Sequence, residues 1–100
     1  MARLALIGTI EVAPGRKDQL VSSLLAHKAR CLKDEPGTLQ MEVLAPHGDD
    51  AKVLLYEAYQ DDAAFDVHRN GSSFAQWRKE TAGTIVKIDV IRCAIVESTV

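Results

Sequence analysis

The stretch EPGTLQMEVLAPHGDDAKVLLYEAYQDDAAFDVH, residues 35–68, decides the fold. Glu35-Pro36-Gly37 stops a helix, because proline biases the residue before it away from helical torsions and glycine permits the turn. Thr38 to Ala45 and Ala51 to Gln60 read as two strands. Between them lies Pro46-His47-Gly48-Asp49-Asp50, whose proline, glycine and aspartates are turn formers, so the pair is an antiparallel hairpin. Asp61 or Asp62 then caps a short helix through Arg69, and Asn70-Gly71 closes it in left-handed fashion. Ser72 or Ser73 opens a further turn or two carrying Phe74 and Trp77, with Ser73 and Gln76 at capping-box spacing.

Upstream, Arg3 to Ala13 alternates Leu4, Leu6, Gly8, Ile10 and Val12 against Ala5, Ile7, Thr9 and Glu11, the period of a strand. From Lys17 to Lys33, Leu20, Val21, Leu24, Leu25, Cys31 and Leu32 recur at three- and four-residue spacing, which makes an amphipathic helix. Downstream, Thr84 to Glu97 is a long strand. Its first half sets Val86, Ile88 and Val90 opposite Lys87 and Asp89. Beyond Val90, Ile91, Cys93 and Ile95 take the face that had been polar, while Ala94 and Val96 remain opposite. A strand apolar on both faces is buried on both, and in so small a chain the second cover points to another subunit; the alternative is a phase shift at a β-bulge within a monomer. The order β-α-β-β-α-β, with the second helix broken in two, predicts an α+β ferredoxin-like domain: one four-stranded antiparallel sheet with its helices on one face.

One hundred residues, 47% of them hydrophobic, make one domain covering 1–100. A chain of this length buries about 65% of its unfolded surface and gains from a partner that covers more. A net charge of -2 gives no electrostatic case for nucleic acid. No apolar run approaches the length of a membrane span. Cys31 and Cys93 lack CxxC spacing, and Met1-Ala2-Arg3 leads into an apolar run broken by Gly8, Thr9 and Glu11 rather than a signal peptide, so two reduced thiols in a cytoplasmic protein are expected.

The segments Glu35-Pro36-Gly37-Thr38-Leu39, Leu55-Tyr56-Glu57-Ala58-Tyr59 and Asp61-Asp62-Ala63-Ala64-Phe65-Asp66-Val67-His68, followed by Phe74, resemble the antibiotic biosynthesis monooxygenase family, and the resemblance runs from about Leu4 to Ile95. It implies a dimeric α+β barrel in which two sheets pack face to face, with strand exchange near the C-terminus. It also implies a pocket between helices and sheet, and chemistry that needs no flavin, haem or metal. The family further holds relatives that isomerise, degrade haem or have no assigned activity.

His68 leads the candidate residues. It is three residues from Phe65 on one helical face and should point with it toward the sheet. An imidazole, with an ordinary pKa of about 6.5, can take the proton that a phenol or quinol must lose before oxygen attacks it; otherwise it fixes the helix on the sheet. Tyr56 and Tyr59, three apart on a strand, face opposite sides. Tyr56 shares its face with Leu54 and Ala58, and orients a substrate oxygen if that face meets the helices. Glu57 shares the other with Val53, Leu55 and Tyr59, and as an acid among apolar neighbours it wants a partner, for which Arg92 is the expected ion pair. Phe65, Phe74 and Trp77 are core residues that also form an aromatic slot for a planar ring, and the indole donor needs an acceptor. His27 falls at the margin of the first helix's apolar stripe, whereas Lys28, near its middle, must snorkel or meet an acid or an anionic ligand. His47 belongs to the hairpin loop.

No glycine-rich phosphate loop, GxSxG, HExxH or cysteine–histidine metal spacing occurs. His27, His47 and His68 fall on three elements, so neither metal nor cofactor is expected. The expected activity is oxidation of a small phenol or quinol by O2 in a homodimer, with His68 and Tyr56 catalytic and Phe65, Phe74, Trp77 and Lys28 holding substrate. Two alternatives share these residues: isomerisation of a small dicarbonyl, free or phosphorylated, with Lys28 or Arg69 on the anion, and non-catalytic binding of a small ligand.

Overall fold

The computed structural model describes residues 2–96. Its elements are β1 (Leu4–Val12), α1 (Lys17–Asp34), β2 (Thr38–Leu44), β3 (Lys52–Tyr59), α2 (Asp62–Arg69), α3 (Ser72–Glu80) and β4 (Ile85–Ala94). The four strands form one antiparallel sheet in the order β2-β3-β1-β4, so the expected ferredoxin-like arrangement is the observed one. The last strand ends at Ala94, short of the expected Glu97: Ile95 and Val96 are not strand, and Glu97 itself lies outside the described residues.

Strand alternation sends Leu6, Ile10 and Val12 of β1, and Val53, Leu55 and Tyr59 of β3, toward the helices. There Leu20 and Leu24 of α1 and Trp77 of α3 close the main core. Leu25 and Leu32, counted in the α1 stripe from spacing, are exposed instead. The buried line of α1 runs Leu20, Leu24, His27, Cys31, with His27 in its interior and not at its margin. Lys28 accordingly falls off that line and pairs with Glu42 on β2 at 2.6 Å.

Asp61 caps α2, its carboxylate accepting the Ala64 N–H. The exit from α2 differs from expectation. Gly71 has φ -87° and serves as the α3 N-cap, so the chain passes from α2 to α3 without a left-handed residue. A Cβ on Gly71 would stand 3.0 Å from the Val67 carbonyl oxygen, so glycine is favoured there by close approach rather than by torsion. Ser73 makes no cap; it is buried in the first turn of α3.

The β4 strand is an edge, and Val86, Ile88, Val90 and Ile91 are each 43–65% exposed. Ile88 and Val90 face the helix side, opposite Ile10 and Gly8, whereas Ile91 and Cys93 face the other. The register shift in this pair sits between Glu11 and Val12, where Val12 meets Ile85, and from Lys87 to Ala94 pairing is regular. The bulge therefore does not explain the two apolar faces.

Candidate functional site

Three helical segments and the sheet enclose a cavity of about 160 Å³ whose wall is almost wholly apolar. Gly8, Leu55 and Val90 form part of its floor, and Phe65, Phe74, Trp77, His27 and His68 face them. A volume of about 150 Å³ holds one benzene-sized ring. A larger depression beside Asp61, Asp62 and Arg92 is shallow and open to solvent, without the convergent buried groups found behind the smaller cavity.

Those groups converge on His68, which is 2% exposed. Its Nδ1 lies 2.8 Å from Glu35 Oε1, the ring N–H donating to the carboxylate, and the Thr38 hydroxyl donates to the same oxygen at 2.9 Å. Its Nε2 is 3.9 Å from Glu57 Oε1, which also accepts the Tyr59 hydroxyl. Nδ1–H is thus held by Glu35, while Nε2, 3.9 Å from Glu57, makes no hydrogen bond to it. Burial, then the Glu57 charge, pushes the Tyr59 phenol well above its ordinary value, so it remains a donor.

Behind the imidazole lie Cys31 and His27. Cys31 Sγ is 3.6 Å from His68 Nδ1 and 3.6 Å from each ring nitrogen of His27. The two imidazoles sit 5.2 Å apart, and His27 stacks on Trp77 at 5.5 Å. Burial lowers the His27 pKa to about 4, reinforced by the charges of His68 and Arg30, so His27 is neutral near pH 7. Burial and the charges of Glu35 and Glu57 push the Cys31 thiol up to about 12.

Local sequence explains the convergence. His27, Cys31 and Glu35 recur every four residues and share one face at the C-terminal end of α1. Glu35 ends that helix, its N–H bonding the Cys31 carbonyl. His68 comes from the last turn of α2, and Phe65, one turn earlier, stacks parallel to it at 6.3 Å.

His68, Phe65, Phe74 and Trp77 thus meet as the sequence predicted. Tyr56 does not join them: it pairs with Ile7 on the helix-free face of the sheet, and Tyr59, of opposite parity, lies 5.3 Å from His68. The condition set for Tyr56, a face meeting the helices, is met by Tyr59. Lys28, bound to Glu42, is not on the cavity wall. Glu57 does not pair with Arg92 within the chain. The β1 strand lies between them, and Arg92 bonds Asp62 at 3.0 Å while covering the Phe65 ring.

The expectation that three histidines on three elements remain apart holds only for His47, exposed in the hairpin loop. Sequence reasoning missed His27, Cys31, Glu35 and Tyr59 as site residues. The four-residue recurrence of His27, Cys31 and Glu35 was the signal available. Trp77 Nε1 is buried and has no partner among the described residues, so the acceptor it was expected to need is not supplied by them.

The comparisons agree with this architecture. A Pseudomonas aeruginosa protein of solved structure is 26% identical, with 96% of each chain covered and a TM-score of 0.86. Structures from Caulobacter crescentus (18% identity, 96% of this chain and 92% of that one, TM-score 0.90) and Nitrosomonas europaea (17%, 98% and 94%, TM-score 0.90) carry provisional assignments as antibiotic biosynthesis monooxygenases. No curated protein matches the chain. The sequence profile of the antibiotic biosynthesis monooxygenase family matches residues 3–80, from β1 through α3, and the chain belongs to that family.

Proposed function

We propose that this protein is a monooxygenase-like enzyme that oxidises a small, single-ring phenol or quinol with O2 and needs no organic cofactor. The observation that carries the reading is the buried Glu35–His68 pair, 2.8 Å apart, set against an apolar cavity of one-ring size. Glu35 holds Nδ1–H and stabilises the imidazolium, and His68 Nε2 takes the substrate's hydroxyl proton. The 3.9 Å between Nε2 and Glu57 is longer than a hydrogen bond and leaves that nitrogen free for the substrate oxygen. Trp77 Nε1, on the cavity-lining indole, replaces Tyr56 as the donor assigned to a substrate oxygen.

The deprotonated ring is itself the reductant. A phenol and O2 give a quinone and water, and a quinol gives a hydroxyquinone and water, so both reactions balance without another electron donor. The protein supplies proton removal, orientation and exclusion of water. The apolar wall and the diversion of Lys28 to Glu42 weigh against a phosphorylated dicarbonyl substrate; Arg69, the other residue offered for its anion, borders the cavity but pairs with Asp66 at 3.1 Å.

Two further parts of the proposal concern setting. The functional unit is a homodimer, supported by the exposed apolar residues on both faces of β4; a second chain over Ile88 and Val90 also closes the cavity they border. Two free cysteines suit the reducing cytoplasm.

The test is oxygen uptake by chelator-treated protein with a panel of single-ring phenols and quinols, beside His68→Gln and Glu35→Gln. Protein-dependent uptake lost in His68→Gln and depressed in Glu35→Gln is expected. Ligand binding without uptake would overturn the oxidative reading in favour of a binding domain.

A further inference from the structure

Behind the imidazole face that borders the cavity, His27, Cys31 and His68 bring one ligand atom each to within 4.8 Å of one another, and all three residues are buried. We propose that His27, Cys31 and His68 form a binding site for a divalent borderline metal ion of the Zn2+ class, with the Glu35 carboxylate as fourth donor. The site shares His68 and Glu35 with the oxidation proposed above, so a bound ion displaces the Glu35–His68 hydrogen bond which that reading uses, and the metal-loaded form is inactive in that reaction.

The sulfur–nitrogen spacings are those of a coordination polyhedron, and the rest of the trio, within 4.8 Å, closes to the roughly 3.3 Å between two nitrogens on such an ion by side-chain rotation. A tetrahedral ion with metal–sulfur bonds of about 2.3 Å and metal–nitrogen bonds of about 2.05 Å separates sulfur from nitrogen by about 3.6 Å. Cys31 Sγ stands 3.6 Å from a nitrogen of each imidazole. It is equidistant from both nitrogens of His27, so rotation of that ring presents either one. Glu35 Oε1, 2.8 Å from His68 Nδ1, stands outside that trio and reaches the ion by rotation of its side chain.

The donor set is also chemically consistent. Two imidazoles, one thiolate and one carboxylate are all Zn2+ ligands, and the mixture favours Zn2+ over the oxygen-seeking Mg2+ and Ca2+. His27 and Cys31 chelate from successive turns of one helix, and Glu35 follows one turn later. His68 is supplied by a second helix, and its Nε2 remains turned to Glu57 as an outer-shell partner.

On binding, four donor bonds to the metal form and the Cys31 S–H bond breaks, its proton leaving to solvent. The proton of neutral His68 moves from Nδ1 to Nε2, facing Glu57. No electrons are transferred.

Titration of chelator-treated protein with Co2+ tests the site. One equivalent is expected to produce the intense visible bands of tetrahedral Co2+ and a thiolate-to-metal charge-transfer band, both abolished by Zn2+. Cys31→Ser should remove the charge-transfer band. His27→Gln should weaken Co2+ binding by more than about 100-fold, beyond the loss of an outer-shell partner. Cys93→Ser should change neither, with far-UV circular dichroism checking the fold of each variant. A pale six-coordinate spectrum, or bands surviving in Cys31→Ser, would overturn the proposal. Should a variant not fold, X-ray absorption of the Zn2+-loaded wild type decides: a sulfur neighbour at about 2.3 Å supports the site and its absence refutes it.

Discussion

The two sides of the His68 ring are built from different parts of the chain. Its nitrogens turn to Glu35, at the end of α1, and Glu57, on β3, with Cys31 and Tyr59 alongside. The ring also borders a cavity walled by Gly8, Leu55, Val90 and the aromatics. The polar side is a closed set of buried groups whose hydrogen bonds depend on one another, so a change in any member is costly. The apolar side is held by packing, where side chains of different volume exchange at smaller cost. Reactivity and ligand choice are thereby separated by the thickness of one imidazole.

Changes on the polar side should be the most severe. His68→Ala leaves the Glu35 and Glu57 carboxylates buried without their shared partner, and chemical denaturation should show a loss on the order of 3–5 kcal/mol. Any turnover that depends on His68 as base should fall by about 10²- to 10⁴-fold in the milder His68→Gln. Should His68→Gln retain full activity, the division drawn at this ring is wrong.

Acid should also act on the polar side. The His27 pKa is lowered from 6.5 to about 4 on folding, so between these values the unfolded chain binds the extra proton. Stability is then fully present above pH 6.5 and lost as pH falls toward 4, by on the order of 3 kcal/mol. Denaturation against pH with a chelator present measures this, and His27→Gln should flatten the profile in that window.

On the apolar side, Gly8→Val places a side chain on the cavity floor. A Cβ at Gly8 meets Leu55 Cβ at an ordinary 3.6 Å, so the fold should survive while ring binding weakens by about tenfold or more, read by calorimetry. Trp77→Phe should have the smallest effect. It removes a buried donor that lacks a partner, so stability should change little, while affinity for a hydroxylated ring falls by about 1 kcal/mol relative to its non-hydroxylated analogue.

The same division explains what could be read in advance. Element order follows from apolar period and turn chemistry, and each strand boundary falls within one residue of its expected place, apart from the end of β4, which stops at Ala94 where apolar alternation continued to Val96. His68, Phe65, Phe74 and Trp77 were legible because they share one short segment with helical spacing. His27, Cys31 and Glu35 were not, since Glu35 reads as part of a helix stop and two polarisable side chains in an apolar stripe read as packing. Tyr56 and Tyr59 have equivalent local sequence; only docking of the helices selects the face that Tyr59 occupies. Recognition of a family supplied the presence of a pocket, but not which tyrosine enters it.

The contact between Gly37 and α2 bears on how any such substitution is interpreted. A Cβ on Gly37 would fall 2.5 Å from Ala64 Cβ, so the backbone after Glu35 rests directly on the helix that carries His68. The separation of acid and base is thus gauged by main chain, upstream of either functional group. Replacing Glu35 or His68 with its amide keeps that gauge, so the resulting defect reports proton chemistry rather than displacement. Gly37→Ala does the converse, leaving both groups intact while forcing their supports apart. Together the substitutions give this fold an internal standard for separating what a group does from where it stands.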